Sequence, residues 1–125
     1  MTLPELHAAH AACDAVQLDG ATEDAIIAIR AALAGEGMRM SVVSGIATAV
    51  NLPFVSVAAK TGTAQVGMRN EHQNSWMIGF WPYENPRYAY AVVLEKAPAG
   101  TQVGGSAVMS DFFQFLHAQA PQYLE

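Results

Sequence analysis

The sequence predicts an α+β fold: a three-stranded antiparallel sheet with flanking helices. Three observations carry that expectation. Residues 55–66, 76–81 and 87–96 place apolar or small side chains at the period of two that a pleated strand requires. The connections between them, 67–73 and 82–86, are polar or proline-bearing and short enough for hairpins. Successive strands should therefore pair antiparallel, in the order Lys60 strand, Trp76 strand, Tyr90 strand. Segments with helical spacing precede the first strand and follow the last.

The stretch 2–16 reads as a first helix, with Thr2 as N-cap, Pro4 in the first turn, and Leu6, Ala9, Cys13 and Val16 near helical spacing. His7, His10, Cys13 and Asp14 match no common zinc spacing, and no later pair completes a set. They read as part of an Ala-rich helix with two solvated histidines, and no metal is expected. Asp19-Gly20 should break that helix and Thr22 cap a second one, whose first turn carries Glu23 and Asp24. Its apolar stripe is Ile26, Ile29 and Leu33. Gly35 and Gly37 are expected to interrupt it, with helix resuming over 38–43, Met38 and Met40 in the core, and Ser44-Gly45 as the stop.

A turn at Asn51-Leu52-Pro53 launches the first strand. The 67–73 loop is polar, so its Arg69 and His72 read as solvated residues. Trp76, Ile78 and Phe80 alternate with Met77, Gly79 and Trp81, so both faces of the second strand are apolar and the sheet should lie between helical layers. Two prolines in 82–86 exclude a strand there. In the third strand Tyr88, Tyr90, Val92 and Leu94 oppose Ala89, Ala91 and Val93, and the small face should receive a close-packed helix. Gly105-Ser106 opens a last helix whose expected core stripe is Val108, Phe112, Phe115 and Leu116, and Pro121 ends it.

At 125 residues the chain suits one domain, and 52% hydrophobic against 14% charged residues suggests surface that something else covers. A net charge of -5 with six Lys plus Arg leaves no basic stripe, so nucleic acid is not an expected partner. There is no apolar run of about 18 residues and no leader pattern. The single Cys13 excludes an internal disulfide. No glycine precedes Lys60 at P-loop spacing, and no cofactor is expected.

Chemistry concentrates in Lys60-Thr61-Gly62-Thr63-Ala64-Gln65, which follows the small, β-branched run Val55-Ser56-Val57-Ala58-Ala59. A period of two sets Lys60 and Gly62 on one face, Thr61 and Thr63 on the other. Gly62 removes a side chain where a ligand would approach the backbone. Gly37-Met38-Arg39-Met40 and Ser44-Gly45 precede this motif. Asn74-Ser75-Trp76-Met77-Ile78-Gly79-Phe80, the 86–95 run and Gly104-Gly105 follow it. This order resembles the C-terminal part of the transpeptidase domain of class B penicillin-binding proteins, within the serine β-lactamase and D,D-peptidase superfamily, whose third active-site motif is K-T-G. The resemblance runs from about Glu23 to Leu116 and leaves residues 1–21 outside it. Ala59 stands where the family usually has Gly, and Ile46 interrupts the usual Ser-Gly-Thr-Ala wording.

The resemblance implies one partial domain over 1–125, an incomplete portion of the β-lactamase/transpeptidase-like fold. It also implies peptidoglycan stem-peptide cross-linking in the complete protein, on the extracytoplasmic face of the bacterial membrane. Lys60 would supply the cleft's electrostatics, the Thr61 and Thr63 hydroxyls would bind the carboxylate of the substrate or a β-lactam beside Gly62, and the Thr63 backbone N–H would be an oxyanion-hole donor. The family's Ser-x-x-Lys and Ser-x-Asn motifs occur nowhere in these residues, so this chain alone is expected not to turn over. The other reading of the chain is a non-enzymatic β-sheet binding or dimerisation module. The 88–95 strand, lacking a neighbour, is expected to recruit either the upstream half of the domain or a second copy.

Overall fold

The computed structural model describes residues 20–125. The elements are helix α1 (Gly20–Ser44), a short 3-10 turn (Thr48–Val50), strands β1 (Ala58–Val66), β2 (His72–Trp81) and β3 (Tyr88–Pro98), helix α2 (Gly105–Gln119), and a 3-10 turn (Pro121–Tyr123). The expected 2–16 helix, with its histidines and Cys13, lies outside the described residues. The chain divides into two compact units, Met1–Ala34 and Gly35–Glu125. Within the first, the described residues are helical; the second holds the sheet and the core.

The helix differs from its expected outline. Helix α1 begins at Gly20, so Thr22 lies within its first turn instead of capping it, and Gly35 and Gly37 are spanned without a break. A helical glycine costs only about 1 kcal/mol relative to alanine, which the surrounding Ala, Ile, Glu and Met residues outweigh. Gly35 also faces the Phe80 ring, whose tip would lie 3.6 Å from an added Cβ. Of the two methionines expected in the core, Met40 is exposed and Met38 half-buried. Val42 is the residue of this turn that is fully buried.

The sheet has the order β1-β2-β3, antiparallel throughout, as the short connections require. Lys60 pairs with Ile78 and Thr63 with Ser75, while Ile78 pairs with Ala91 and Gly79 with Tyr90. Near the far end the register shifts, so that Glu95 and Lys96 together stand opposite Asn74. This is a β-bulge: Lys96 takes the left-handed conformation (φ 54°) and its N–H donates to Asn74 Oδ1 at 2.8 Å. Strand β2 reaches back to His72, so His72 and Gln73 belong to the ladder and not to the preceding loop.

The core gathers Val42, Ala47, Val50, Val55, Val57 and Ala59 with Met77, Trp81, Met109, Phe113 and Leu116. Helix α2 meets the sheet through Gly105, Met109, Phe113 and Leu116, not through the expected Val108, Phe112 and Phe115. Those three are 39%, 40% and 59% exposed. Apolar stripes one residue apart compete on this helix, and the docked one begins with Gly105, where an added Cβ would lie 2.9 Å from Met77 Cβ and 3.2 Å from Val92 Cγ1. Only a glycine there lets the helix come this close. Phe113 then stands edge-on to Trp81 (5.1 Å) and Tyr90 (6.1 Å), and Trp81 stacks on Tyr88 (5.1 Å). Burial pushes the Tyr90 phenol well above its ordinary range.

The expected helix on the Ala face of β3 is therefore on the other face. Ala89 and Ala91 are exposed, and on the same side of the sheet Trp76 (43%) and Ile78 (47%) remain open, so among the described residues the sheet is not enclosed between two helical layers. The large residues Tyr88, Tyr90 and Val92 pack against the core because α2 supplies the small contact at Gly105. At the sheet's other end Arg39 donates to the Val57 carbonyl at 2.8 Å and lies over the Tyr83 ring. The 82–86 turn closes with Tyr83 N–H donating to the Ser56 carbonyl, Ser56 Oγ donating to Glu84, and a cis Trp81–Pro82 bond.

Candidate functional site

Strand β1 carries the Lys60 motif from the core to the surface. Ala58 and Ala59 are fully buried; Lys60, Gly62 and Thr63 are exposed and Thr61 half-buried. Small residues are what the crowded start of the strand accepts, since Ala59 sits in the core with Val57 and Met77. From Lys60 onward β1 is an edge strand, bonded to β2 on one side only among the described residues. Its other side presents backbone N–H and C=O groups in a row.

The pleat separates the side chains as their spacing requires. Thr61 and Thr63 share a face with their partners Met77 and Ser75, and Lys60 and Gly62 share the other with Ile78 and Trp76. The Lys60 ammonium nonetheless bends back to donate to the Thr61 carbonyl, which brings it round to the strand edge. Gly62 has no packing reason to be glycine. An added Cβ would meet only Trp76 Cβ, at an ordinary 3.8 Å. The fold would accept alanine there, which would also stiffen the strand.

Beside Thr63, Ser75 Oγ accepts the Gly105 N–H at 3.3 Å, and an added Cβ on Gly104 would come within 2.5 Å of that hydroxyl. The two glycines thus bring the positive end of α2 up against the strand that pairs with the Lys60 motif. The adjoining 98–104 loop is held by one side chain: Gln73 Nε2 donates to the Thr101 carbonyl (2.9 Å) while its Oε1 accepts the Gly100 N–H (3.1 Å). The local chemistry of Gln73, Asn74 and Ser75 does not reveal these contacts. The available signal was three polar residues in succession opening a strand that is otherwise apolar.

Arg69 lies exposed in the β1–β2 turn, where its backbone N–H donates to Glu71 at 2.9 Å. That bond, with the Glu71 N–H itself as the larger cause, holds the Glu71 carboxyl below its ordinary value. His72 is half-buried in β2 opposite Val66 and Pro98. Among the described residues no serine hydroxyl bonds to a lysine or a histidine. Ser44 Oγ donates to the Met40 carbonyl, Ser75 serves Gly105, and Ser41 Oγ is buried without a partner. No group of three or more His, Cys, Asp and Glu is placed to hold a metal among those residues, and no helix there is long and apolar enough to cross a membrane.

A sequence model of the penicillin binding protein transpeptidase domain matches residues 13–114, most of the chain. The chain belongs to the penicillin-binding protein transpeptidase family. The match begins ahead of Glu23, where the motif order starts to resemble the family, and ends two residues before Leu116. The chain is also similar to the peptidoglycan D,D-transpeptidase MrdA of Haemophilus influenzae, at 30% identity over a region covering 53% of this chain and 12% of that protein. It therefore spans a small part of that relative. Within the transpeptidase family the three-stranded antiparallel sheet and its helices form an α+β portion of the domain.

Proposed function

We propose that this chain supplies the ligand-binding strand of a penicillin-binding transpeptidase, a protein that cross-links peptidoglycan stem peptides in the bacterial cell wall at the extracytoplasmic face of the membrane. In this reading Thr61 and Thr63 donate hydroxyl hydrogen bonds to the carboxylate of the stem peptide or a β-lactam. Lys60 provides the cation that such a carboxylate requires, and the Thr63 N–H is one oxyanion donor. The observation that carries it is Gly62 on an exposed edge: a glycine that weakens the strand, unneeded by packing, between residues able to bind an anion. Because the pleat sets Lys60 opposite the threonines, a ligand touches all three only by lying along the edge, toward which the Lys60 ammonium is already turned.

The nucleophile of the reaction belongs to a Ser-x-x-Lys motif, which these 125 residues do not contain. Binding determinants and an oxyanion donor without a nucleophile leave acyl transfer no covalent route. The test is incubation of the chain with a labelled penicillin followed by denaturation. No adduct is expected, and one mapped to Ser41, Ser44 or Ser75 would overturn the assignment. The other reading, a binding or dimerisation module without catalysis, is favoured by the β3 edge, which bonds only to β2 among the described residues; in the transpeptidase reading an upstream half of the domain would join the sheet there.

A further inference from the structure

Arg39 precedes the Lys60 motif by two turns of sequence and takes no part in the ligand contacts assigned to it, yet in space it belongs to the same edge. The Ser56 carbonyl accepts the Tyr83 N–H at 2.9 Å, and an added Cβ on Gly79 would lie 2.5 Å from the Ala58 carbonyl oxygen, so both carbonyls point toward β2. In an extended chain successive carbonyls alternate sides. Val57, Ala59, Thr61 and Thr63 therefore turn their backbone groups to the outer edge of β1, and the Lys60 ammonium on the Thr61 carbonyl fits that alternation. Arg39 Nη1 donates to the Val57 carbonyl at 2.8 Å, at the head of this row. Its guanidinium also lies over the Tyr83 ring, 5.8 Å from the centroid. Tyr83 N–H in turn holds Ser56, whose hydroxyl donates to Glu84. Residues 56 and 57 are thus pinned by groups from α1 and from the 82–86 turn.

We propose that Arg39 is a positioning residue for the ligand-carboxylate site: its hydrogen bond to the Val57 carbonyl holds the start of β1 so that Lys60 and Thr61 meet the carboxylate. That role rests on the reading that Lys60, Thr61 and Thr63 bind the ligand. Ala58 and Ala59 are fully buried and exposure begins at Lys60, so the open edge starts where the pinned segment ends. The set of Val57 then fixes the direction in which Lys60 and Thr61 leave the core. The Val57 and Thr61 carbonyls are four residues apart in an extended strand, about 13 Å, which exceeds the screening length of about 8 Å at physiological salt. Arg39 therefore acts on a ligand through the backbone it holds and not through its charge.

The test uses a protein that joins this chain to an upstream transpeptidase half carrying Ser-x-x-Lys and Ser-x-Asn, acylated by a penicillin or by its methyl ester, which lacks the carboxylate charge. Arg39→Met keeps the methylenes over Tyr83 and removes the donor. The ratio of the two acylation rate constants, acid to ester, should fall about tenfold, the worth of one charge-assisted hydrogen bond. The fall should be the same at low and high salt, and Arg39→Lys should recover most of it. A loss of folded protein would lower both rates together and leave the ratio where it was. In this chain alone, Arg39→Met should speed amide exchange over residues 58–62 and leave the β2–β3 amides unchanged. An unchanged ratio, an effect that disappears at high salt, no recovery with lysine, or exchange that speeds uniformly would each overturn the proposal. Lys60→Ala separates the two readings. If it too leaves the ratio unchanged, the carboxylate assignment is wrong; if it lowers the ratio and Arg39→Met does not, the role of Arg39 alone falls.

Discussion

Replacing Phe113 with alanine should be among the costliest single truncations in the described core. The ring is fully buried and meets Trp81 and Tyr90 edge-on. A buried Phe→Ala change costs about 3–5 kcal/mol through lost transfer energy and the cavity left behind, a large share of the roughly 5–15 kcal/mol that holds a typical domain together. Phe115, two residues on, is 59% exposed, and its truncation should cost under about 1 kcal/mol of monomer stability. Urea unfolding at sub-micromolar protein, followed by tryptophan fluorescence, separates the two because dilution removes association. The midpoint of Phe113→Ala should fall by several times the drop for Phe115→Ala. Equal drops, or a larger one for Phe115, would refute the assignment of the buried stripe.

Other consequences follow from the same packing and from the 82–86 turn. Gly105→Ala places a methyl 2.9 Å from Met77 Cβ and should cost about 1–3 kcal/mol through overpacking. Gly62→Ala, with an open Cβ position, should leave the urea midpoint unchanged or raise it, and a marked loss would show that packing does require that glycine. Glu84 is held below its ordinary carboxylate value chiefly by the Ser56 hydroxyl, so the stabilisation is present above the unfolded value, about 4.3, and is lost as pH falls through the folded one. The urea midpoint of the parent chain should therefore drop more on acidification than that of Glu84→Gln, and parallel pH profiles would remove that bond from the account.

The sheet was legible because its determinants are local: a period of two, two short connections and a pair of prolines leave one simple topology. The K-T-G-T strand was legible for the same reason, as a cation, two hydroxyls and a glycine in sequence. The face of α2 was not. Phe112 and Phe113, then Phe115 and Leu116, supply two stripes of equal apolarity, and the choice between them rests on Trp81 and Tyr90, which arrive from other elements. Gly105, Met109 and Phe113 at steps of four were the overlooked signal. The same long-range decision placed the aromatic face of β3, and not its alanines, against the helix. The role of Gln73 is not legible locally because it depends on where the 98–104 loop lands, 27 or 28 residues away in sequence.

The central claim is that Lys60 and its two threonines bind the carboxylate of a transpeptidase ligand. It is tested most directly by labelled-penicillin acylation of a protein that joins this chain to an upstream transpeptidase half carrying Ser-x-x-Lys and Ser-x-Asn. The account predicts a denaturation-resistant adduct on that upstream serine, abolished by Lys60→Ala while the circular dichroism spectrum is unchanged. Undiminished labelling of the Lys60→Ala protein would contradict it.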